Sequence, residues 1–225
     1  MFSDFVENMR SDTFVLDSPC DIMARYLTAG EEVKRLVVYG FCSPEARKHG
    51  YRLLAYGVRR HWALDDLPEI CREERGKPFF LQTENRFFNI SHSGDRVVCA
   101  LDDEAVGIDI QKVRPFRKGL RQRVCSREEL EWLDGRGGRD EEFALLWSMK
   151  ESKCKHSGQG LRLPVSEIDV PLPRADEREL EREGLRFYLS QGTNWRLCLC
   201  GTGTWDGTIR WIDETDILEI GENAI

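Results

Sequence analysis

The 225-residue sequence has no apolar run approaching the roughly 18 residues that a membrane-spanning helix needs, so no membrane association is expected. Its first residues, MFSDFVENMRSDTF, lack the basic start and apolar middle of a secretory leader, and the expectation is a cytoplasmic protein. No CxxC pair occurs among the eight cysteines, which stand singly at 20, 42, 71, 99, 125, 154, 198 and 200. That spacing argues against structural zinc and against a disulfide framework, and Cys99, Cys198 and Cys200 read as small buried thiols in strand-like runs. Basic residues are the minority, 33 Lys and Arg against 40 Asp and Glu, and the net charge of −7 disfavours nucleic acid as a partner. No GxSxG elbow is present, and Ser91 and His92, adjacent on a predicted strand, face opposite sides; a Ser/His hydrolase is a poor reading. Short-period repeats and low-complexity tracts are absent as well.

What remains is a globular composition, 40% hydrophobic and 32% charged, long enough for a substantial core in one large or two small domains. Residues 43–64, SPEARKHGYRLLAYGVRRHWAL, open on Ser-Pro and space their apolar residues as a helix does. GKP at 76–78 marks a rigid turn. FFNISHSGDRVVCALDDEAVGIDIQKV reads as three strands, 87–92, 97–101 and 106–111, in an antiparallel meander. Ser126 with Glu129 forms a capping box for a short helix, GRGGRD is a loop, and a long helix starts near Asp140. Beyond Gly160 four runs read as strands: VSEIDV, RFYLSQ, NWRLCLCG and GTIRWIDE. Each half holds a helix and several strands, so the fold class is α+β, in two subdomains covering 1–103 and 104–225.

Chemistry gathers in a few places. In VGIDIQK, Val106, Ile108 and Ile110 point one way and Gly107, Asp109 and Gln111 the other. A carboxylate and an amide side by side make an oxygen-rich edge that suits a hard cation such as Mg²⁺. The long helix carries WSMKESKCKHSGQGL, where Phe143, Leu146, Trp147 and Cys154 share a stripe with Lys150 at its centre. A lysine there calls for a buried carboxylate or carbonyl across the subdomain junction. Glu151 and Lys155, four apart, read alone as a surface ion pair as readily as a site, but Glu151 with Asp109 supplies the two carboxylates of a metal site. Ser91, His92, Lys77, Arg47, Lys48 and Arg52 are donors suited to phosphate, although each taken singly also reads as an ordinary surface or strand-end side chain. Segment 112–123, KVRPFRKGLRQR, holds six basic residues and no acidic one. It reads equally as a solvated basic helix or as a docking strip for an acidic partner, with Val113, Phe116 and Leu120 as apolar anchors.

In order and spacing, GKP at 76, FNISHSGD at 88, VGIDIQKVRP at 106 and WSMKESKCKHSGQGL at 147 resemble the 4'-phosphopantetheinyl transferases of the surfactin-synthetase-activating (Sfp-like) type. The resemblance covers roughly residues 43–170. It implies a pseudo-twofold pair of similar α+β subdomains in one monomeric chain, with coenzyme A and Mg²⁺ in the cleft between them. It also implies transfer of the phosphopantetheine arm of coenzyme A to a serine of an acyl or peptidyl carrier protein, with release of 3',5'-ADP. By motif position Asp109 and Glu151 correspond to the Mg²⁺ carboxylates and Lys155 to the pyrophosphate ligand; Glu151, able to touch both metal and incoming hydroxyl, is the choice for general base, directly or through a metal-bound water. Ser91 and His92 correspond to holders of the coenzyme A phosphates, Lys77 and Pro78 flank the adenine, and Arg47, Lys48 and Arg52 are assigned to the 3'-phosphate. Gln111 departs from the pattern, since many members are acidic at that position; it would act on the metal through water, with one negative charge fewer. That departure keeps open a catalytically weak carrier-protein-binding module, beside a different Mg²⁺-dependent nucleotide or pyrophosphate enzyme.

Overall fold

Apolar residues at alternate positions fix the strands. The computed structural model describes residues 35–117, 119–160, 164–218 and 220, all within one compact unit, Lys34–Ile225. In its first half β1 (Arg35–Cys42), β2 (Ile70–Arg72), β3 (Pro78–Phe80), β4 (Phe87–Ser93) and β5 (Arg96–Asp102) accompany helix α1 (Gly50–Trp62). Then follow β6 (Val106–Lys112), the helices α2 (Leu120–Val124), α3 (Arg127–Asp134) and α4 (Asp140–Ser157), and strands β7 (Glu179–Arg182), β8 (Leu185–Gly192), β9 (Trp195–Gly201) and β10 (Thr204–Trp211). A short α5 (Glu214–Leu218) closes the described chain.

Two four-stranded sheets result, in the orders β10-β1-β5-β4 and β6-β9-β8-β7, with β2-β3 as a separate hairpin. Neighbouring strands are antiparallel except β1 and β10, which run parallel. The sequence β1-α1-β4-β5 and the sequence β6-α4-β8-β9 trace the same path: strand, helix, strand, strand, the last lying in the middle. This is the α+β architecture of two similar halves.

Three apolar clusters set four layers. Leu53, Leu54 and Val58 of α1 pack on Tyr39, Val97 and Cys99 of the first sheet. The inner faces of the two sheets meet through Val38, Val98, Ala100, Ile108, Ile110 and Leu199. On the far side, Phe143, Leu146 and Met149 of α4 and Leu133 of α3 cover Phe187, Leu189 and Cys198. Helix α4 is thus buried toward both the sheet and α3, which is why a single apolar stripe describes it poorly. The seven cysteines among the described residues are free thiols, and no helix among those residues is long and apolar enough to cross a membrane.

Strands β4, β5 and β6 do not form the expected meander. β4 and β5 pair as a hairpin, but the turn after β5 carries the chain across to the second sheet, where β6 pairs with β9. β4 and β6 are joined by side chains instead. Asn89 Oδ1, Ser91 Oγ and Ser93 Oγ accept hydrogen bonds from the backbone N–H groups of Ile108, Ile110 and Lys112 at 2.9, 3.3 and 2.9 Å. Three polar side chains at alternate positions thereby satisfy an edge that would otherwise be left bare.

The run VSEIDV is not a strand; it makes a 3-10 turn, Val165–Glu167, and then an extended but unpaired stretch. A strand was not expected over ELER, where β7 forms as a charged edge beside β8. The turn between β5 and β6 contains the expected boundary after residue 103, but β10 returns to pair with β1 on the first sheet. Of the first expected subdomain, residues 1–34 lie outside the described residues.

Candidate active site

The approach of α4 to β6 is set by Gly107. A β-carbon there would collide with the Ser152 carbonyl oxygen and the His156 amide nitrogen of α4, so only glycine lets the two backbones touch. Buried Ser148 and Ser152 turn their hydroxyls back to the carbonyls of Leu145 and Met149, at 2.7 and 2.9 Å, and leave no orphaned polar group in the packed layer. Two residues beyond Gly107, and on the same face of β6, Asp109 meets the last turns of α4.

Asp109 is 3% exposed and well supplied with donors. Lys155 Nζ lies 2.6 Å from Oδ1 and also donates to Ser91 Oγ at 2.9 Å and to the Ile108 carbonyl at 3.2 Å. The Ser91 hydroxyl donates to the same Oδ1 at 2.8 Å, and Gln111 Nε2 donates to Oδ2 at 2.7 Å. Glu151, one turn before Lys155, is half-buried. Its carboxyl is pushed above the usual range by burial and then by the Asp109 charge, with Lys155 opposing.

The opposite wall comes from the β2-β3 turn. Gly76 adopts φ +86, and hydrogen bonds from Glu73 N to the Lys77 carbonyl and from Gly76 N to the Glu73 carbonyl close the turn at 2.9 and 2.8 Å. Lys77 Nζ crosses to the His156 carbonyl at the end of α4, 2.8 Å away. Burial lowers the Lys77 ammonium pKa, with Glu73 opposing. Between these walls lies a cavity of about 260 Å³ lined by Arg75, Gly76, Lys77, Pro78, Glu151 and Lys155, among others. A second hollow of about 420 Å³, with Phe79, Phe87 and Phe88 in its lining, shares Lys77 and Pro78 with the first.

Asp109, Glu151, Lys155 and Ser91 therefore come together, with Lys77 and Pro78 across the cavity. His92 lies on the other face of β4 and is exposed; burial, Arg47 and Lys155 all hold its imidazole below the usual pKa. Arg47 is exposed on the 3-10 turn Ala46–His49. Lys48 there is ion-paired with Glu45, and Arg52 sits on α1; neither lines the cavity. In segment 112–123, Phe116 and Leu120 do not serve as outward anchors. Phe116 packs edge-on to Phe143 with centroids 4.4 Å apart, and Leu120 joins the same core, so both hold the segment to the body. Arg121 bonds Asp140 at 3.0 Å, while Lys112, Arg114, Arg117 and Arg123 are exposed.

Among the described residues no group of three or more His, Cys, Asp or Glu could hold a metal ion. The two carboxylates Asp109 and Glu151 beside one amide nevertheless match Mg²⁺, which takes few protein ligands and completes its octahedron with water and phosphate. Gln111 turns its nitrogen toward Asp109 and so orients that carboxylate. Lys150 meets a buried carboxylate and a carbonyl as expected, but within the second half and not across the subdomain junction: fully buried, its Nζ lies 2.8 Å from Glu129 Oε2 of α3 and 2.8 Å from the Val165 carbonyl. Glu129 is also the capping-box residue, accepting from Ser126 N at 2.6 Å. Sequence reading missed the bridging of Asn89 and Ser93 and the close approach at Gly107. Polar residues repeating every second position of an otherwise apolar strand are the signal that finds the first two.

Residues 105–200, which carry Asp109, Gln111, Glu151 and Lys155, match the family model described as the 4'-phosphopantetheinyl transferase superfamily. Among curated relatives, the chain is 39% identical over 128 residues to "4'-phosphopantetheinyl transferase Sfp" of Bacillus subtilis (strain 168), covering 55% of this chain and 57% of that protein. It is 34% identical over 97 residues to "4'-phosphopantetheinyl transferase gsp" of Aneurinibacillus migulanus, covering 42% of this chain and 40% of the other. With "4'-phosphopantetheinyl transferase AcpT" of Salmonella typhimurium (strain LT2) it shares 35% identity over 118 residues, 50% of this chain and 61% of that protein. The chain thus spans about half the length of the curated relatives it matches. The matched stretch supplies β6, α4 and the strands behind them, whereas Lys77, Pro78, Ser91 and His92 lie before it.

Proposed function

We propose that this chain is a 4'-phosphopantetheinyl transferase acting in the cytoplasm, moving the phosphopantetheine arm of coenzyme A onto a serine hydroxyl of an acyl or peptidyl carrier protein. The observation that carries the reading is that Glu151 and Lys155, the latter ion-paired with Asp109 behind it, stand at one wall of a cavity whose other wall is the Gly76–Lys77–Pro78 turn. The likeness of 105–200 to the superfamily supports it.

The serine oxygen attacks the phosphorus that bears the pantetheine arm. The P–O bond to the neighbouring phosphate breaks, and 3',5'-ADP leaves with the bridging oxygen. Glu151 takes the serine proton: it is half-buried, carries a raised pKa and stands at the cavity wall. Lys155 neutralises the leaving phosphate by exchanging its longest bond, the 3.2 Å contact to the Ile108 carbonyl, for a phosphate oxygen. Asp109, Glu151 and, through water, Gln111 would hold Mg²⁺, whose charge would neutralise the pyrophosphate. Ser91 keeps Asp109 and Lys155 in register; Arg47 supplies positive charge for further phosphate oxygens, and His92, whose neutral form its surroundings favour, can donate one ring N–H to them. Lys77 and Pro78, shared by the two hollows, are assigned to the adenine, and Lys48 and Arg52 with Arg47 to the 3'-phosphate. The exposed bases of segment 112–123 are assigned to an acidic carrier protein, and the division at 103/104, with β10 exchanged, to two subdomains of one monomer.

Apo carrier proteins incubated with the chain, coenzyme A and Mg²⁺ should gain the mass of one phosphopantetheine on serine. If a panel of acyl and peptidyl carrier proteins binds without any mass gain, the transferase reading fails in favour of a binding module.

A further inference from the structure

Outside the cleft, the end of α3, the start of α4, strands β8 and β9 and the segment 173–178 enclose a separate cavity of about 490 Å³. Five arginines line it: Arg136, Arg139, Arg174, Arg178 and Arg196. Only three carboxylates do, Glu142, Asp176 and Glu177, so an excess of two positive charges gathers in a chain whose net charge is −7. Two of the three are already engaged. Glu142 pairs with Arg139, and Glu177 Oε2 accepts the Arg174 backbone N–H at 2.9 Å.

The arginines come from different elements and differ in how they are held. Arg136 donates through one Nη to the Pro173 carbonyl at 2.7 Å and lies 4.2 Å from the centre of the Trp132 ring. Arg196 donates through one Nη to the carbonyls of Gly192 and Trp195, at 2.9 and 2.8 Å. A guanidinium has five N–H donors, so both are oriented while keeping others for a ligand. Arg174 and Arg178 are exposed and make no side-chain hydrogen bond or ion pair among the described residues. The crowding is felt electrostatically. Burial lowers the Arg196 pKa, Arg139 and Arg178 lower it further, and Glu141 and Glu142 oppose.

We propose that this cavity is a binding site for a compact oligoanion of the phosphate class. Guanidinium forks arriving from several directions suit tetrahedral oxyanions, which accept bidentate bonds on each face. The volume lies in the usual range for small-ligand sites, roughly 300–1,000 Å³. Glu142 at this cavity precedes Glu151 in the cleft by nine residues of α4, about 14 Å along the helix axis, so the two sites are distinct. The assignment holds whatever reaction the cleft performs.

The test uses the full chain carrying Lys155→Ala, which removes one of the phosphate-facing cations of the cleft, titrated with inorganic tripolyphosphate by calorimetry at low ionic strength and in saturating coenzyme A, which occupies the others. One binding event is expected, weakened at least tenfold when Arg174→Ala and Arg178→Ala are added, with the thermal unfolding temperature unchanged because neither side chain has a hydrogen-bond or ion-pair partner among the described residues. Citrate should bind at least tenfold more weakly than tripolyphosphate. ATP in the same titration identifies the source: tighter binding than tripolyphosphate assigns the site to nucleotides, weaker binding to free oligophosphate. No binding event, equal affinity after the two arginine substitutions, or citrate binding as tightly as tripolyphosphate would overturn the proposal.

Discussion

Glu151 illustrates how one residue's surroundings set a measurable property. Burial first, and the Asp109 carboxylate second, raise its pKa above the ordinary 4.5, while Lys155 pulls the other way. A base must be deprotonated to act, so transfer should fall off as pH drops, and because a bound cation favours the charged carboxylate, raising the Mg²⁺ concentration should move that acid limb of the kcat/KM profile to lower pH. Glu151→Gln should lower kcat at least about 100-fold while leaving the circular dichroism spectrum unchanged; normal turnover would remove Glu151 from the base role. Gln111 makes a second residue-scale case. Its amide donates 2.7 Å to a nearly buried carboxylate, a bond of the charged class that contributes about 1.5–3 kcal/mol. Gln111→Glu should lower stability by about that amount in EDTA and show the larger stabilisation by Mg²⁺, both read from thermal unfolding. At this scale spacing and family likeness singled out Asp109, Glu151 and Lys155, which the structure brings together. The sequence was silent on Gln111 presenting nitrogen, because an amide's orientation depends on its neighbours.

Elements explain what single residues cannot. Helix α4 is held on one side by backbone contact with β6 at Gly107 and on the other by the ion pair of Lys150 with Glu129. Gly107→Ala forces backbone against backbone, where no side chain can yield, and should cost about 3 kcal/mol or more in denaturant unfolding. Transfer should fall as well, since Asp109 moves with β6. Lys150→Met removes the buried cation and leaves Glu129 desolvated among apolar neighbours, a loss of about 3–5 kcal/mol in the same measurement. Adding Glu129→Gln, which keeps the capping acceptor without the charge, should recover part of that loss. If Lys150→Met is as stable as the parent, the pair is not holding α3 to α4. The element boundaries of α3, α4, β4, β5, β8 and β9 follow from capping and alternation, so the sequence carried them. β7 escaped because its charged residues hide the period of a strand that is paired only at the edge, and VSEIDV misled because β-prone residues find no strand partner there.

At the scale of the whole molecule, Asp102 ends β5 at the crossing from the first sheet to the second. It is fully buried, its Oδ1 accepts the Asp103 N–H at 2.8 Å, and its Oδ2 has no hydrogen-bond partner among the described residues. A β-carbon on Gly203, just before β10, would strike it. Burial raises its pKa from 3.8 to about 6. The folded state thus holds this proton more tightly than the unfolded chain does. Its stabilising contribution is complete below pH 3.8 and is lost as pH rises to about 6, a change of about 3 kcal/mol. Denaturant unfolding of Asp102→Asn should lack that decline; an unchanged slope between pH 4 and 6 would place the proton elsewhere. The joining of the two halves was the least legible feature. The resemblance implied paired subdomains, yet the alternation of β4 and β6 favours a common sheet, and only the polar residues at alternate positions, Asn89, Ser91 and Ser93, mark a neighbour held by side chains instead.

The parallel pairing of β1 with β10 brings Arg35 opposite Thr204, one of the longest closures in the chain. During synthesis at about 5–20 residues per second, the edge of β1 is exposed on the order of 10 s before its partner emerges. The first sheet, although encoded early, can be completed only after the second has had time to form. Such non-local closure slows folding and makes the nascent β1 edge the place where an unfinished chain is open to pairing with another.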